Sequence, residues 1–149
     1  MELHYVGAYV VAVPALIVGA VVGAAATAFR RAPRGWDARV TVPLVLAAGA
    51  AHLSLIPAVE LQRQVLFGLY FLAMAGVVAF ALLGFGIWRL GAIVFPVGSI
   101  AGYFYFGFVV HQVDYVGLAV KLVELAAVAS ALVPFIRRTS TPDAPKTLA

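Results

Sequence analysis

Five long apolar runs divide this chain, and each is long enough to cross a lipid bilayer as an α-helix. The first run, residues 5–29, contains no charged residue. About 20 consecutive apolar residues cover the hydrocarbon core of a membrane, whereas a buried helix of a soluble protein has about 10–14. The other runs cover residues 40–57, 65–88, 90–111 and 115–136. The pattern predicts an all-α, polytopic integral membrane protein, a bundle of five transmembrane helices.

The composition leaves no room for a separate soluble domain. Hydrophobic residues make up 64% of the chain and charged residues 11%, against about 45–50% and about 25% in soluble domains. Residues 1–138 are therefore expected to form one transmembrane domain, and residues 139–149, rich in Thr and Pro, a disordered cytoplasmic tail. Cysteine is absent, which excludes disulfides, thiolate metal ligands and thiol catalysis.

Basic residues are distributed unevenly between the loops. Four arginines lie in residues 30–39, Arg89 separates the third and fourth runs, and three basic residues follow the fifth, whereas the opposite loops hold only Arg63. Because cytoplasmic loops carry an excess of Lys and Arg, the N-terminus is expected outside and the C-terminus in the cytoplasm of a cell membrane. The net charge of +4 is interpreted as this topology signal, so no nucleic-acid partner is expected.

Ionisable residues interrupt the fifth apolar run. Lys121 and Glu124 are expected roughly 9 and 13 Å below the outer surface, at 1.5 Å per residue. An isolated charge in hydrocarbon costs about 2.5–3.5 kcal/mol on insertion scales, so both side chains need partners or water. With Asp114 they could form an intramembrane ion pair or a proton pathway. The structural alternative is that Lys121 extends to the interface and Glu124 bonds a Tyr or Ser of another span, or contacts a neighbouring subunit.

The three histidines and several acids are expected at the outer face. His52, His111 and His4, with Glu60, could hold copper or zinc, because neutral imidazole is the usual ligand where no thiolate exists. The sequence has no HxH or HxxxH spacing, so such ligands would have to converge from separate helices. A less favoured alternative is a haem b held between His52 and His111.

Two GxxxG pairs predict close contacts between helices. Gly19 and Gly23 lie in the first run, and Gly98 and Gly102 in the fourth. Small residues at this spacing let helix backbones approach each other in a bilayer. Because a bundle this small has few inward surfaces of its own, the expected partners besides the lipid bilayer are other membrane subunits or copies of the same chain.

These features favour three functions. The leading hypothesis is a small accessory subunit of a multi-subunit membrane enzyme complex, respiratory or metal-dependent, that either holds an outer-face histidine metal site or supports a neighbouring subunit that holds one. The alternative is a small homo-oligomeric transporter or channel with Lys121 and Glu124 in its pathway, and a further one is a b-type haem membrane anchor. Phosphate-loop, dinucleotide and zinc-protease motifs are missing from the sequence, as is any arrangement of nucleophile, base and orienting group, which favours a non-catalytic subunit over an enzyme.

Overall fold

A computed structural model describes residues 3–29, 36–110 and 114–139 of the chain. Over these ranges the protein is all-helical, with five helices long and apolar enough to cross a membrane, which confirms the expected class. The helices are α1 (Leu3–Phe29), α2 (Trp36–Leu55), α3 (Leu61–Leu83), α4 (Trp88–Val110) and α5 (Tyr115–Thr139), with a 3₁₀ turn at Ile56–Ala58. The predicted tail lies outside the described residues beyond Thr139.

Four of the helices form a closed ring. Helix α2 packs on α3, α3 on α4, α4 on α5, and α5 returns to α2. Because short connections join successive helices, the ring has the up-down-up-down topology of a four-helix bundle. Helix α1 lies outside the ring, chiefly against α2. A side chain inside the ring can therefore contact groups from four helices.

Helix α1 approaches α2 at its two spaced glycines. A Cβ atom at Gly19 would lie 2.6 Å from the carbonyl oxygen of Leu46, and one at Gly23 would lie 2.6 Å from Cα of Pro43. Side chains at these positions would collide with the backbone of α2. The contact between α1 and α2 thus depends on glycine at both sites.

The turn between α3 and α4 falls earlier than the apolar pattern suggests. The third apolar run extends to Trp88, but α3 ends at Leu83 because Gly84 adopts the left-handed conformation, with φ 82°. The N–H of Phe85 then donates to the carbonyl of Phe80 at 2.9 Å and closes the helix end. This turn is itself apolar in sequence, and Trp88 begins α4.

The interior of the ring is mostly apolar in the half where α2 and α4 begin. Small and branched side chains fill this half, which we call the apolar plug. Its members are Ala38, Val42, Val45, Met74, Val77, Val78, Ala81, Trp88, Ala92, Ala127 and Ala131. They come from all four ring helices and are buried. The other half of the ring, where α5 begins, has a different interior.

Candidate functional site: a buried polar cluster

Polar side chains from all four ring helices meet beyond the apolar plug, and we call them the central cluster. Its members are His52 of α2, Tyr70 of α3, Ser99 of α4, and Lys121 and Glu124 of α5. Glu124 is completely buried, and only 7% of Lys121 is exposed. Charged groups at such positions within apolar helices are uncommon and mark sites of function in membrane proteins.

Lys121 points into the ring. Its Nζ donates to Oε2 of Glu124 at 2.9 Å and to Oγ of Ser99 at 2.5 Å. The ammonium also lies 5.7 Å from the ring centroid of Tyr103. The structure thus brings Lys121 and Glu124 together as an i, i+3 pair, and Ser99 connects this pair to α4.

His52 presents one nitrogen to this pair. Its Nδ1 lies 2.8 Å from the carbonyl oxygen of Ala48. Because a carbonyl only accepts, Nδ1 carries the hydrogen, and Nε2 of the neutral ring keeps a free lone pair. That Nε2 lies 3.7 Å from Oε1 of Glu124, too far for a hydrogen bond. Two acceptors therefore face each other inside the ring, and one added proton could be shared by both after the two side chains move closer by roughly half an ångström.

Two buried polar atoms of the cluster have no hydrogen-bond partner among the described residues: Oε1 of Glu124 and the hydroxyl of Tyr70. The Tyr70 hydroxyl interacts with Glu124 and Ser99, although neither contact meets strict hydrogen-bond geometry, and its ring centroid lies 4.3 Å from that of His52. An unsatisfied buried group costs about 1–3 kcal/mol. Tyr70 was not predicted as a site residue. The only indication in the sequence is a phenol near the start of an otherwise apolar run.

Asp114 connects α5 to α4 at the end of the ring nearest the cluster. Its Oδ1 accepts from the N–H of Gly117 at 2.5 Å and so caps α5. The hydroxyl of Tyr103 donates to the carbonyl of Asp114 at 2.8 Å and accepts from its N–H at 3.1 Å. Gly117 gives the Tyr103 ring room, since a Cβ there would lie 2.9 Å from the phenolic oxygen. Asp114 thus caps the helix, and none of the ion pairs between described residues joins it to Lys121.

The predicted metal ligands are only partly described. His52 belongs to the central cluster, while Glu60 is exposed at the start of α3 and makes no side-chain cap. His111 and the side chain of His4 lie outside the described residues. Among the residues that the structure does describe, no three His, Asp or Glu side chains are placed to share a metal ion. The copper, zinc and haem hypotheses remain predictions.

A second ion pair, partly buried, lies at the opposite end of the ring. Asp37 Oδ2 accepts from Nη2 of Arg89 at 2.7 Å and from its Nε at 3.1 Å. The guanidinium also lies 4.8 Å from the Trp88 ring. This pair was not expected, although the sequence held a signal for it: opposite charges stand in the first turns of two helices that start on the same side.

Fold and site together define a polytopic α-helical protein whose spans enclose a Lys–Glu–His cluster. Comparison with protein-family models, with curated proteins and with solved structures finds no match to the chain. Functional inference for this protein therefore depends on the chemistry of the cluster.

Proposed function

We propose that this protein binds and releases a proton at the central cluster and acts as a small proton-linked transporter or channel. The observation that carries the proposal is the contact between Oε1 of Glu124 and Nε2 of His52, 3.7 Å apart inside the ring. Intramembrane carboxylates and histidines of this kind are the usual groups of proton relays.

The charge balance of the cluster supports a group that gains and loses one proton. With His52 neutral, the charges of Lys121 and Glu124 cancel, but Oε1 lacks a donor. An added proton between Oε1 and Nε2 supplies the missing hydrogen bond once the two atoms, 3.7 Å apart here, draw together, and it leaves a net charge of one. The deprotonated cluster thus has an unpaired buried oxygen, and the protonated cluster has a buried net charge. Because each state has a cost that the other lacks, the arrangement suits a site that must change protonation.

The same geometry favours a proton over a metal ion. Nδ1 of His52 donates to the Ala48 carbonyl, and Oε2 of Glu124 accepts from the ammonium of Lys121. A divalent cation at Nε2 of His52 would approach that ammonium in a medium that screens charge poorly. Repulsion would weaken its binding.

Our proposal includes the orientation inferred from the basic residues, with the N-terminus outside a cell membrane and the C-terminus in the cytoplasm. The cluster then lies in the outer half of the bilayer. Arg89 and Asp37 lie near the cytoplasmic surface, where loop arginines also concentrate.

Infrared spectroscopy tests the proton site. In membranes titrated with acid, we expect pH-dependent bands of a carboxyl group and an imidazole in addition to those of the exposed acids, and Glu124→Gln should lack these additional bands because its amide cannot titrate. Asp37→Asn is the matched control, since Asp37 is the other buried, ion-paired carboxylate. Persistence of the bands in Glu124→Gln would contradict the proposal.

Flux measurements test transport. Purified protein in liposomes should take up protons under a potassium diffusion potential, as reported by an internal pH dye. We expect Glu124→Gln to abolish the uptake and Asp37→Asn to retain it. Equal uptake by wild type and Glu124→Gln would refute a role of the cluster in transport.

An accessory subunit of a membrane enzyme complex is the second candidate. It is favoured by an open face of α4, where, apart from the nearby backbone of α4 itself, no described atom lies within 4 Å of a Cβ built on Gly98 or Gly102. A small-residue surface of this kind fits a helix of another subunit or of a second copy. Purification in mild detergent should then yield unlike chains in fixed ratio, with copper or zinc that His52→Ala removes. A lone homo-oligomer without metal would reject this candidate.

A further inference from the structure

We infer that protons reach the central cluster from one side only, through polar groups between α4 and α5 at the end where α5 begins. This inference rests on the proposed proton site. It also makes the protein a one-sided proton binder in the conformation seen here, with the opposite route closed by the apolar plug.

The proposed entry side is marked by a series of polar groups from Asp114 to Glu124, joined by hydrogen bonds except at the step from Tyr103 to Lys121, which is a cation–π contact. Asp114 stands at its mouth, partly exposed, and is bonded to the hydroxyl of Tyr103. The Tyr103 ring faces the ammonium of Lys121 at 5.7 Å. Since Lys121 follows the start of α5 by six residues, the ammonium-bearing residue lies about 9 Å below it along the helix.

Beyond Lys121 the series continues into the cluster from every ring helix. Ser99 on α4 accepts from the ammonium, and Glu124 accepts from it one turn deeper on α5. His52 on α2 and Tyr70 on α3 close the inner end. These are the titratable and charged groups that the ring helices direct at Glu124.

On the other side of Glu124 the interior changes abruptly. Ala127 and Ala131 follow on α5, and Val45 and Met74 face them from α2 and α3, each completely buried. Close-packed aliphatic side chains leave no donor or acceptor for a proton. The route from the Asp37 end is therefore interrupted by the apolar plug.

The polar pair beside the plug does not bridge this gap. Thr41 and Ser130 bond each other at 2.7 Å, and Ser130 Oγ donates to the carbonyl of Ala127 at 2.8 Å. Thr41 must then be the donor to Ser130, so both hydroxyl hydrogens are already used. Among the described residues neither hydroxyl bonds a member of the central cluster or Asp37, so the pair does not connect the two ends, and transfer across the membrane requires the plug to open.

Thiol labelling tests the one-sided route, and the chain is suited to it because it contains no cysteine. Ser99→Cys places a thiol beside Lys121 with the change of a single atom. Ser130→Cys is the same exchange beside the plug, and Tyr115→Cys reports which surface carries the start of α5, since Tyr115 is 81% exposed. The reagents are a membrane-impermeant trimethylammonium methanethiosulfonate and the smaller silver ion, added to vesicles of one orientation.

From the side where Tyr115→Cys reacts, at least the silver ion should modify Ser99→Cys, and neither reagent should modify Ser130→Cys from either side. Modification of Ser99→Cys from the opposite side, or of Ser130→Cys as fast as Ser99→Cys, would overturn the inference. So would a Ser99→Cys that resists both reagents while the protein elutes as the folded species. Labelling does not require Glu124 to titrate, so its failure is distinguishable from failure of the proton site itself.

Discussion

The Asp37–Arg89 and Lys121–Glu124 pairs of the ring carry the same charges but differ in burial and in hydrogen bonding. At one end, two nitrogens of Arg89 converge on one oxygen of Asp37, and 28% of the arginine side chain is exposed. In the other half, Lys121 engages one oxygen of Glu124, and the second oxygen is buried without a donor. The first pair joins α2 to α4 beside solvent, whereas the second lies deep among four helices.

Charge alone therefore does not distinguish the two pairs, whereas burial and hydrogen bonding do. The Asp37 and Arg89 atoms that form the contact already have hydrogen-bond partners, so protonating Asp37 would only break the contact. At Glu124 a proton would complete a hydrogen bond to His52. The two pairs should therefore respond differently to removal of one partner, to removal of both, and to salt.

The largest difference is expected from removal of the carboxylates. Glu124→Ala leaves the buried ammonium of Lys121 without its counter-charge, a loss of about 3–5 kcal/mol in unfolding free energy. Asp37→Ala leaves Arg89 partly in water and should cost roughly 1–2 kcal/mol, including the lost interaction with the N-terminus of α2. Equilibrium unfolding in mixed detergent micelles measures both values. Equal losses would erase the distinction between the pairs.

A smaller effect is expected when both partners of the deep pair are replaced. Lys121→Met and Glu124→Gln each leave one group uncompensated, but the double variant leaves neither charge. We expect the double variant to be more stable than the sum of the single losses predicts, by on the order of 1–3 kcal/mol. The matched cycle of Arg89→Met and Asp37→Asn should give a coupling of about 1 kcal/mol or less. A larger coupling at Asp37 would reverse the comparison.

The sequence predicted the class of the fold well because length and hydropathy determine whether a helix can span a bilayer. It was less informative about the turn at Gly84, since Phe85 and Ile87 are as apolar as the helices that flank them. Hydropathy does not report a change of backbone direction. That information came from the left-handed glycine.

The cluster was predictable only along a single helix. Lys121 and Glu124 are close in sequence, and their i, i+3 spacing places them on neighbouring faces. Whether His52 or Tyr70 turns toward α5 depends on how α2 and α3 are rotated about their axes. A membrane helix is apolar both where it faces lipid and where it faces other helices, so its hydrophobic pattern does not reveal this rotation. For the same reason the pairing of Asp37 with Arg89, 52 residues apart, required the ring to be known.

The smallest effect is expected from conservative exchange and salt at the shallow pair. Arg89→Lys keeps the charge but has one nitrogen where arginine uses two, so Asp37 should lose one hydrogen bond, worth roughly 0.5–1 kcal/mol. Because salt screens exposed charges much more than buried ones, raising the ionic strength should reduce the contribution of the Asp37 pair and leave that of the Glu124 pair unchanged. Repeating both double-mutant cycles at low and high salt measures this directly. Equal salt dependence of the two couplings would place Lys121 and Glu124 in contact with bulk water and remove the basis for a confined proton site.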